Sequence, residues 1–156
     1  MRGTQSRNGF SFTEIMFVVA VIGMLAAVAI PSALKARKTA HTEQAKLDLE
    51  MLASAISELA WDTGEWPRGI ARNVQSSAES WSLTRGSAGL VANDGRFSDW
   101  QGPYIKSISV DPWGQPYFFD PDYRVNGEWR VVVGSFGPNC RGRNAYDADD
   151  IYILLK

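Results

Sequence analysis

The 156-residue sequence holds a single Cys and a single His. One Cys rules out an intramolecular disulfide framework, and one Cys with one His falls short of an ordinary structural zinc set. No G-x-S-x-G, Walker or H-E-x-x-H string occurs, so the chain carries no positive sign of an enzyme. An excess of one charge is missing as well. Sixteen Lys and Arg against 17 Asp and Glu leave a net charge of −1, which argues against a nucleic-acid binder that relies on a broad basic surface. Charge is also absent locally: the twenty residues from Ile15 to Leu34 carry none. Such a run covers roughly 30 Å as a helix, enough to span a bilayer. About 120 residues remain for a water-soluble part with a modest core, which excludes a large multi-domain enzyme.

Residues 1–9, MRGTQSRNG, are polar with Arg2 and Arg7 as their only charges, the layout of a targeting leader. The apolar block after them reads in three ways: the h-region of a secretory signal peptide, a signal anchor, or the buried half of a longer helix. Ala27-Val28-Ala29 offers an A-x-A cleavage pattern. Against the first reading, the run is long for an h-region and helical periodicity continues past it. From Thr39 to Trp61, Leu49, Leu52, Ile56 and Leu59 recur at spacings of three and four, with Leu47, Met51 and Ala55 on a flanking row. This predicts an amphipathic helix that ends before Gly64 and Pro67. Joined to the apolar run it makes one helix of about 50 residues, roughly 75 Å long. Gly23 and Pro31 weaken it, so the stretch between them is expected to be a kink or soft spot. Arg2 and Arg7 flank the span on one side and Lys35, Arg37 and Lys38 on the other, so charge counting leaves its orientation open. His41, just beyond, lies on a polar helix face with no partner set by spacing and reads as a surface residue.

From Gly64 to Pro103 the pattern is loop-like, with Trp66, Trp81 and Trp100 as aromatic anchors. From Tyr104 onward short β-prone runs follow. Tyr117-Phe118-Phe119 and Trp129 to Val133, separated by Asp120-Pro121-Asp122 and Asn126-Gly127, predict an antiparallel meander, with Ile151 to Leu154 as a last strand. The fold class is α+β, one long N-terminal helix laid on a small antiparallel sheet.

At the head of the apolar run stands Gly9-Phe10-Ser11-Phe12-Thr13-Glu14. A basic leader ending in Gly, then Phe, then Glu five residues into the remaining chain and an unbroken apolar helix resembles the processing site of the type IV pilin superfamily. The resemblance implies cleavage between Gly9 and Phe10 by prepilin peptidase and N-methylation of the new Phe10 amine. A carboxylate at membrane depth is costly and functional by default. The resemblance supplies its partner, the Phe10 ammonium of a neighbouring subunit. The plainer reading places Glu14 at the lipid interface as the end of the span.

Asp111-Pro112-Trp113-Gly114-Gln115-Pro116-Tyr117, preceded by Gly102-Pro103-Tyr104-Ile105, resembles a hallmark of the major pseudopilins of type II secretion. Pro112 fixes φ, Gly114 permits a turn, and Trp113 and Tyr117 have rings to bury against the helix. A folding role accounts for the motif. The same branch often has Y-P where this chain has Trp66-Pro67.

Ser135-Phe136-Gly137-Pro138-Asn139-Cys140-Arg141-Gly142, followed by Asp147-Ala148-Asp149-Asp150-Ile151, resembles the calcium loop of those pseudopilins. The resemblance puts Asn139 at the first acidic ligand, Asp149 and Asp150 at the acidic pair, and the carbonyls of Phe136 and Arg141 at backbone ligands of a Ca²⁺ ion. Here Asn139 is neutral where the family has Asp, and the loop is about three residues longer, with Arg141 and Arg143 inside it. Asp147 restores the charge. Oxygens on a turn-rich loop suit a hard cation; the plainer reading is a solvated acidic turn. Cys140 reads as a free thiol.

The expectation is therefore a leader over 1–9, a transmembrane and assembly helix over 10–34, its amphipathic half over 35–62 and a head over 63–156. As the resemblance implies, the chain is a bacterial inner-membrane pseudopilin with a periplasmic head. It is cleaved, methylated and polymerised with copies of itself into a filament for protein export, alongside minor pseudopilins and an inner-membrane secretion platform. Glu14 sets register in that filament, and the Gly23 to Pro31 segment melts as subunits leave the membrane. Two alternatives stand beside it: a type IV pilin or minor pilin, though one Cys cannot close a C-terminal disulfide, and a single-pass anchored periplasmic binding or enzymatic domain.

Overall fold

A computed structural model describes residues 9–142 and 147–156. Helix α1 runs Phe12–Thr63. A two-residue hairpin follows, β1 (Glu65–Trp66) against β2 (Ile70–Ala71), and three longer strands come late: β3 (Phe118–Val125), β4 (Glu128–Ser135) and β5 (Ile151–Leu154). These three form one antiparallel sheet in the order β3-β4-β5. The chain divides into two compact units, the residues up to Thr39 and Ala40–Lys156.

In the first unit the helix starts where the Ser11 carbonyl accepts the N–H groups of Glu14 (3.1 Å) and Ile15 (3.2 Å). It has the length and hydropathy of a membrane span, with a mean hydropathy of 2.5 over its most apolar window and none of that window buried. The helix is unbroken at Gly23 and Pro31, so the expected weak points are not breaks in this structure.

In the second unit the row read from spacing is the core row: Leu49, Leu52, Ile56 and Leu59 are buried, with Ala45, Ala55 and Ala60 beside them. Leu47 and Met51 correct the flanking row, since they are 56% and 57% exposed, whereas Ala55 of that row is buried. The helix stops at Gly64, whose φ of 74° ends the ladder while its N–H still reaches the Ala60 carbonyl at 3.1 Å. Trp66, Leu83, Leu90, Phe97, Tyr117, Phe119 and Val133 close the core over the helix. A second apolar cluster lies on the other sheet face, where Phe118, Tyr123, Val132 and Phe136 pack with Trp81. Gly134 makes room for it: a Cβ there would stand 2.5 Å from the Phe118 ring.

Two turn expectations separate. Asn126-Gly127 is the β3–β4 turn, with φ of 52° and 87°. Asp120-Pro121-Asp122 is not a turn; it lies inside β3 at a register shift between Asp120 and Tyr123. Pro lacks the ladder N–H but is tolerated at a bulge, which is how the strand accommodates it. Residues 104–117 are irregular and not β.

Candidate functional site

The processing and assembly residues stand open. Phe10 is 79% exposed, and Glu14 is the acidic residue of the first turn of α1, where the helix dipole favours a carboxylate. Among the described residues no side chain pairs with Glu14. Ile15, Met16, Phe17, Val19, Ile22, Leu25, Val28, Ile30 and Leu34 are all exposed. A Cβ at Gly23 would touch nothing. Residues 1–8 of the leader lie outside the described residues.

The D-P-W-G segment is a strap with three attachments. Asp111 is buried; its Oδ1 accepts the N–H groups of Trp113 (3.0 Å) and Gln115 (2.7 Å). Its backbone closes the same turn, with Asp111 N–H on the Gln115 carbonyl and Gly114 N–H, at φ 87°, on the Asp111 carbonyl. Asp111 Oδ2 accepts the Ser135 hydroxyl at 2.6 Å, and Ser135 Oγ in turn accepts Gly137 N–H at 3.1 Å. At the other end Tyr117 donates its hydroxyl to Asp48 Oδ2 of α1 at 2.8 Å. Burial, reinforced by the Asp48 carboxylate, pushes the Tyr117 phenol far up. Trp113 places its ring edge-on to His41 with centroids 6.1 Å apart. His41 is thus half-buried against the strap, a correction to its reading as a plain surface residue.

The C-terminal loop brings part of the expected ligand set together. Asn139 donates to Asp147 Oδ2 at 2.8 Å while its own oxygen accepts Arg141 N–H at 2.8 Å. Asp147 Oδ1 accepts Asp149 N–H at 2.9 Å. Asp150 Oδ2 accepts the Tyr123 hydroxyl at 2.7 Å, but Asp150 Oδ1 is buried with no hydrogen-bond partner. Burial, the largest cause, holds the Asp150 carboxyl above its usual range. Phe136 precedes a short 3₁₀ turn, Gly137–Asn139, and Gly137, at φ 64°, lies so close to Asp149 that any Cβ would strike the Asp149 carbonyl oxygen. Asp149 and Arg141 are exposed, and Cys140 is a free, exposed thiol. Residues 143–146 of the loop, Arg143 included, lie outside the described residues. A buried carboxylate oxygen without a partner is what a hard cation satisfies, but the carboxylate oxygens of Asp147, Asp149 and Asp150 do not all lie within 4.8 Å of one another, so the expected ligand set is only partly gathered.

A second acidic group escaped the sequence. Carboxylate oxygens of Glu79, Asp120 and Asp122 lie within 4.8 Å of one another, with Asp120 wholly buried. Glu79 is far off in sequence; the paired N–H to carbonyl bonds of 2.8 Å between Ser80 and Phe119 bring it in. No motif announces that bridge.

An unburied helix of membrane length, followed by a domain that spends the rest of the same helix as its core, defines a pilin-like assembly subunit. A family model described as type II secretion system (T2SS), protein G, matches residues 32–152. The type II secretion system core protein G of Escherichia coli K12 is 31% identical over 117 residues, 75% of this chain and 74% of that protein. Its counterpart in Xanthomonas campestris pv. campestris is 29% identical over 147 residues, covering 92% and 88%. The crystal structure of the major pseudopilin from enterohaemorrhagic Escherichia coli shares the fold, with a TM-score of 0.50 at 20% identity over 76% of this chain and 90% of that one. The chain belongs to the type II secretion system protein G family. That is a family of structural pseudopilins, not a known enzyme family, and it implies a multi-subunit assembly built on a membrane-anchored protein.

Proposed function

We propose that the chain is cut by prepilin peptidase between Gly9 and Phe10, N-methylated on Phe10, and drawn from the inner membrane into a periplasmic pseudopilus that drives protein export. The observation that carries this reading is the bare apolar half of α1, every large side chain of which is exposed within its own chain. Lipid covers such a surface before assembly, and only copies of the same helix replace lipid without exposing it to water. Minor pseudopilins and the inner-membrane platform are the expected partners, and the Gly23 to Pro31 stretch is where the helix yields during extraction. Mass spectrometry of the N-terminus tests the processing: a mature chain beginning with N-methyl-Phe10 is expected, whereas an intact Met1 or a cut after Ala29 overturns it.

The same reading assigns Ca²⁺ to the C-terminal loop, held by Asp147, Asp149, Asp150, Asn139 and the carbonyls of Phe136 and Arg141. The ion would neutralise the buried Asp150 oxygen and brace the loop. Calcium at 100 times its Kd stabilises by about 2.7 kcal/mol, so chelation is expected to lower the melting temperature by about 10 °C. Without metal the sign of the pH dependence follows from the raised Asp150 value. The folded form holds that proton more tightly than the unfolded chain, so stability rises as pH falls from neutral through the raised value and is lost again above it. Asp150→Asn should remove both the calcium shift and this rise. An unchanged melting temperature in chelator would remove the metal from the loop.

A further inference from the structure

Trp61 is 82% exposed, beyond any other large apolar side chain among the described residues of the second unit. It is not alone. Ser57, Glu58, Asp62 and Tyr104 line one shallow hollow with it at the end of α1, and Tyr104 fixes the Asp62 carboxylate through a hydroxyl donated at 3.0 Å. Among the described residues, no cation pairs with Glu58 or Asp62. An indole and a phenol ring beside two unneutralised carboxylates select a cation on an apolar stem, and a guanidinium above all, which stacks on the ring while its N–H groups meet the carboxylates.

The complement is on the same chain. Trp129, 52% exposed, lies in β4 with the Arg124 guanidinium 5.4 Å from its ring centroid. Arg72, Val74, Pro121 and Val131 line a hollow with it. Arg124 has no carboxylate partner among the described residues. The chain therefore shows an acidic aromatic hollow at the helix end and a basic aromatic one on the sheet, each with an exposed Trp of the kind that anchors interfaces.

We propose that these two surfaces join successive copies of this chain, with Arg124 and Trp129 of one head seated against Glu58, Trp61 and Asp62 of the next. The partner is a second copy because the two patches match each other in charge and ring content. The contact is heterologous: facing a patch with itself would set like charge against like, whereas acidic against basic leaves a free patch of each kind at the two ends and propagates. The proposal deepens the polymer reading and rests on it, adding a head contact to the helix contact.

The test uses the full chain in cells that assemble it, in a Cys140→Ser background. With Ser57→Cys and Val74→Cys together, at positions that line the two hollows without supplying their charge, a short bismaleimide should give a ladder of dimers and higher species, while either Cys alone should give none. Glu58→Lys should cut sedimentable polymer at least tenfold, and Arg124→Glu added to it should recover most of the loss. Glu58 is exposed and unbonded, so the head still folds, with the thermal melt as the check. A polymer of normal yield from Glu58→Lys, or no ladder from the double-Cys chain, overturns the contact; so does cross-linking of Ser57→Cys to another protein in place of a copy. If the unaltered chain forms no Glu14-dependent polymer at all, the assembly reading fails instead, and the two failures are distinguishable.

Discussion

Glu14→Val should leave the chain in the membrane fraction and abolish polymer formation and export, an effect of at least a hundredfold on sedimentable filament. Glu14 is the only charge between Phe10 and Leu34. An acidic residue at membrane depth costs about 2.5–3.5 kcal/mol on insertion scales, so Val makes residence in lipid easier and a loss of assembly cannot be charged to failed insertion. In the first turn of α1 the carboxylate has the helix dipole but no partner cation among the described residues. Assembly supplies that cation if the Phe10 ammonium of a neighbour reaches it, and the pairing is worth most where lipid excludes water. Glu14→Gln keeps the shape and loses the charge, so it should fail as Val does. Filaments of normal yield from Glu14→Val would refute the register role. Normal filaments from Gln alone would reduce that role to hydrogen bonding.

What the sequence disclosed follows the range of each signal. The burial of Leu49, Leu52, Ile56 and Leu59 and the stop at Gly64 are local, set by a 3.6-residue period and one left-handed glycine, and both hold. Leu47 and Met51 are legible as apolar but not as exposed, because a flanking row of an amphipathic helix is buried only where another element covers it, and spacing along one helix does not say where that is. Asp120-Pro121-Asp122 has every mark of a turn by composition. The bulge that keeps it in β3 depends on its partner strand, whose register a single strand does not carry. Glu14 stood out because one carboxylate in a long apolar stretch is conspicuous. The resemblance singles out the loop residues as a set. Their supports lie outside it: Tyr123 reaches Asp150 and Asp111 reaches Ser135 only through the folded sheet. The acidic group of Glu79, Asp120 and Asp122 is the same case, joined by one isolated bridge.

Asp111→Ala should cost the head about 3–5 kcal/mol, as much as truncating a buried aromatic of its core. The carboxylate is 2% exposed and accepts three hydrogen bonds, from two backbone N–H groups of its own turn and from the Ser135 hydroxyl. Alanine strands all three donors. Each hydrogen bond to a charged group contributes roughly 1.5–3 kcal/mol, and each abandoned buried donor costs about 1–3 kcal/mol, with solvent entering the turn to recover part. For a chain of this size the loss corresponds to a fall of about 10–15 °C in melting temperature. Ser135→Ala removes one of the three bonds and also the acceptor for Gly137 N–H, so it should cost about 1–2 kcal/mol. The two substitutions share a bond, hence a double-mutant cycle should show coupling of about 1 kcal/mol. That coupling separates a strap from a mere turn. If Asp111 served only Trp113 and Gln115, the two losses would add, and the C-terminal loop would melt no earlier in Asp111→Ala than in the unaltered chain. If the strap holds the loop, hydrogen exchange at Gly137 should speed up in Asp111→Ala and Ser135→Ala alike, while exchange along the buried half of α1 near Leu52 stays slow until the head unfolds.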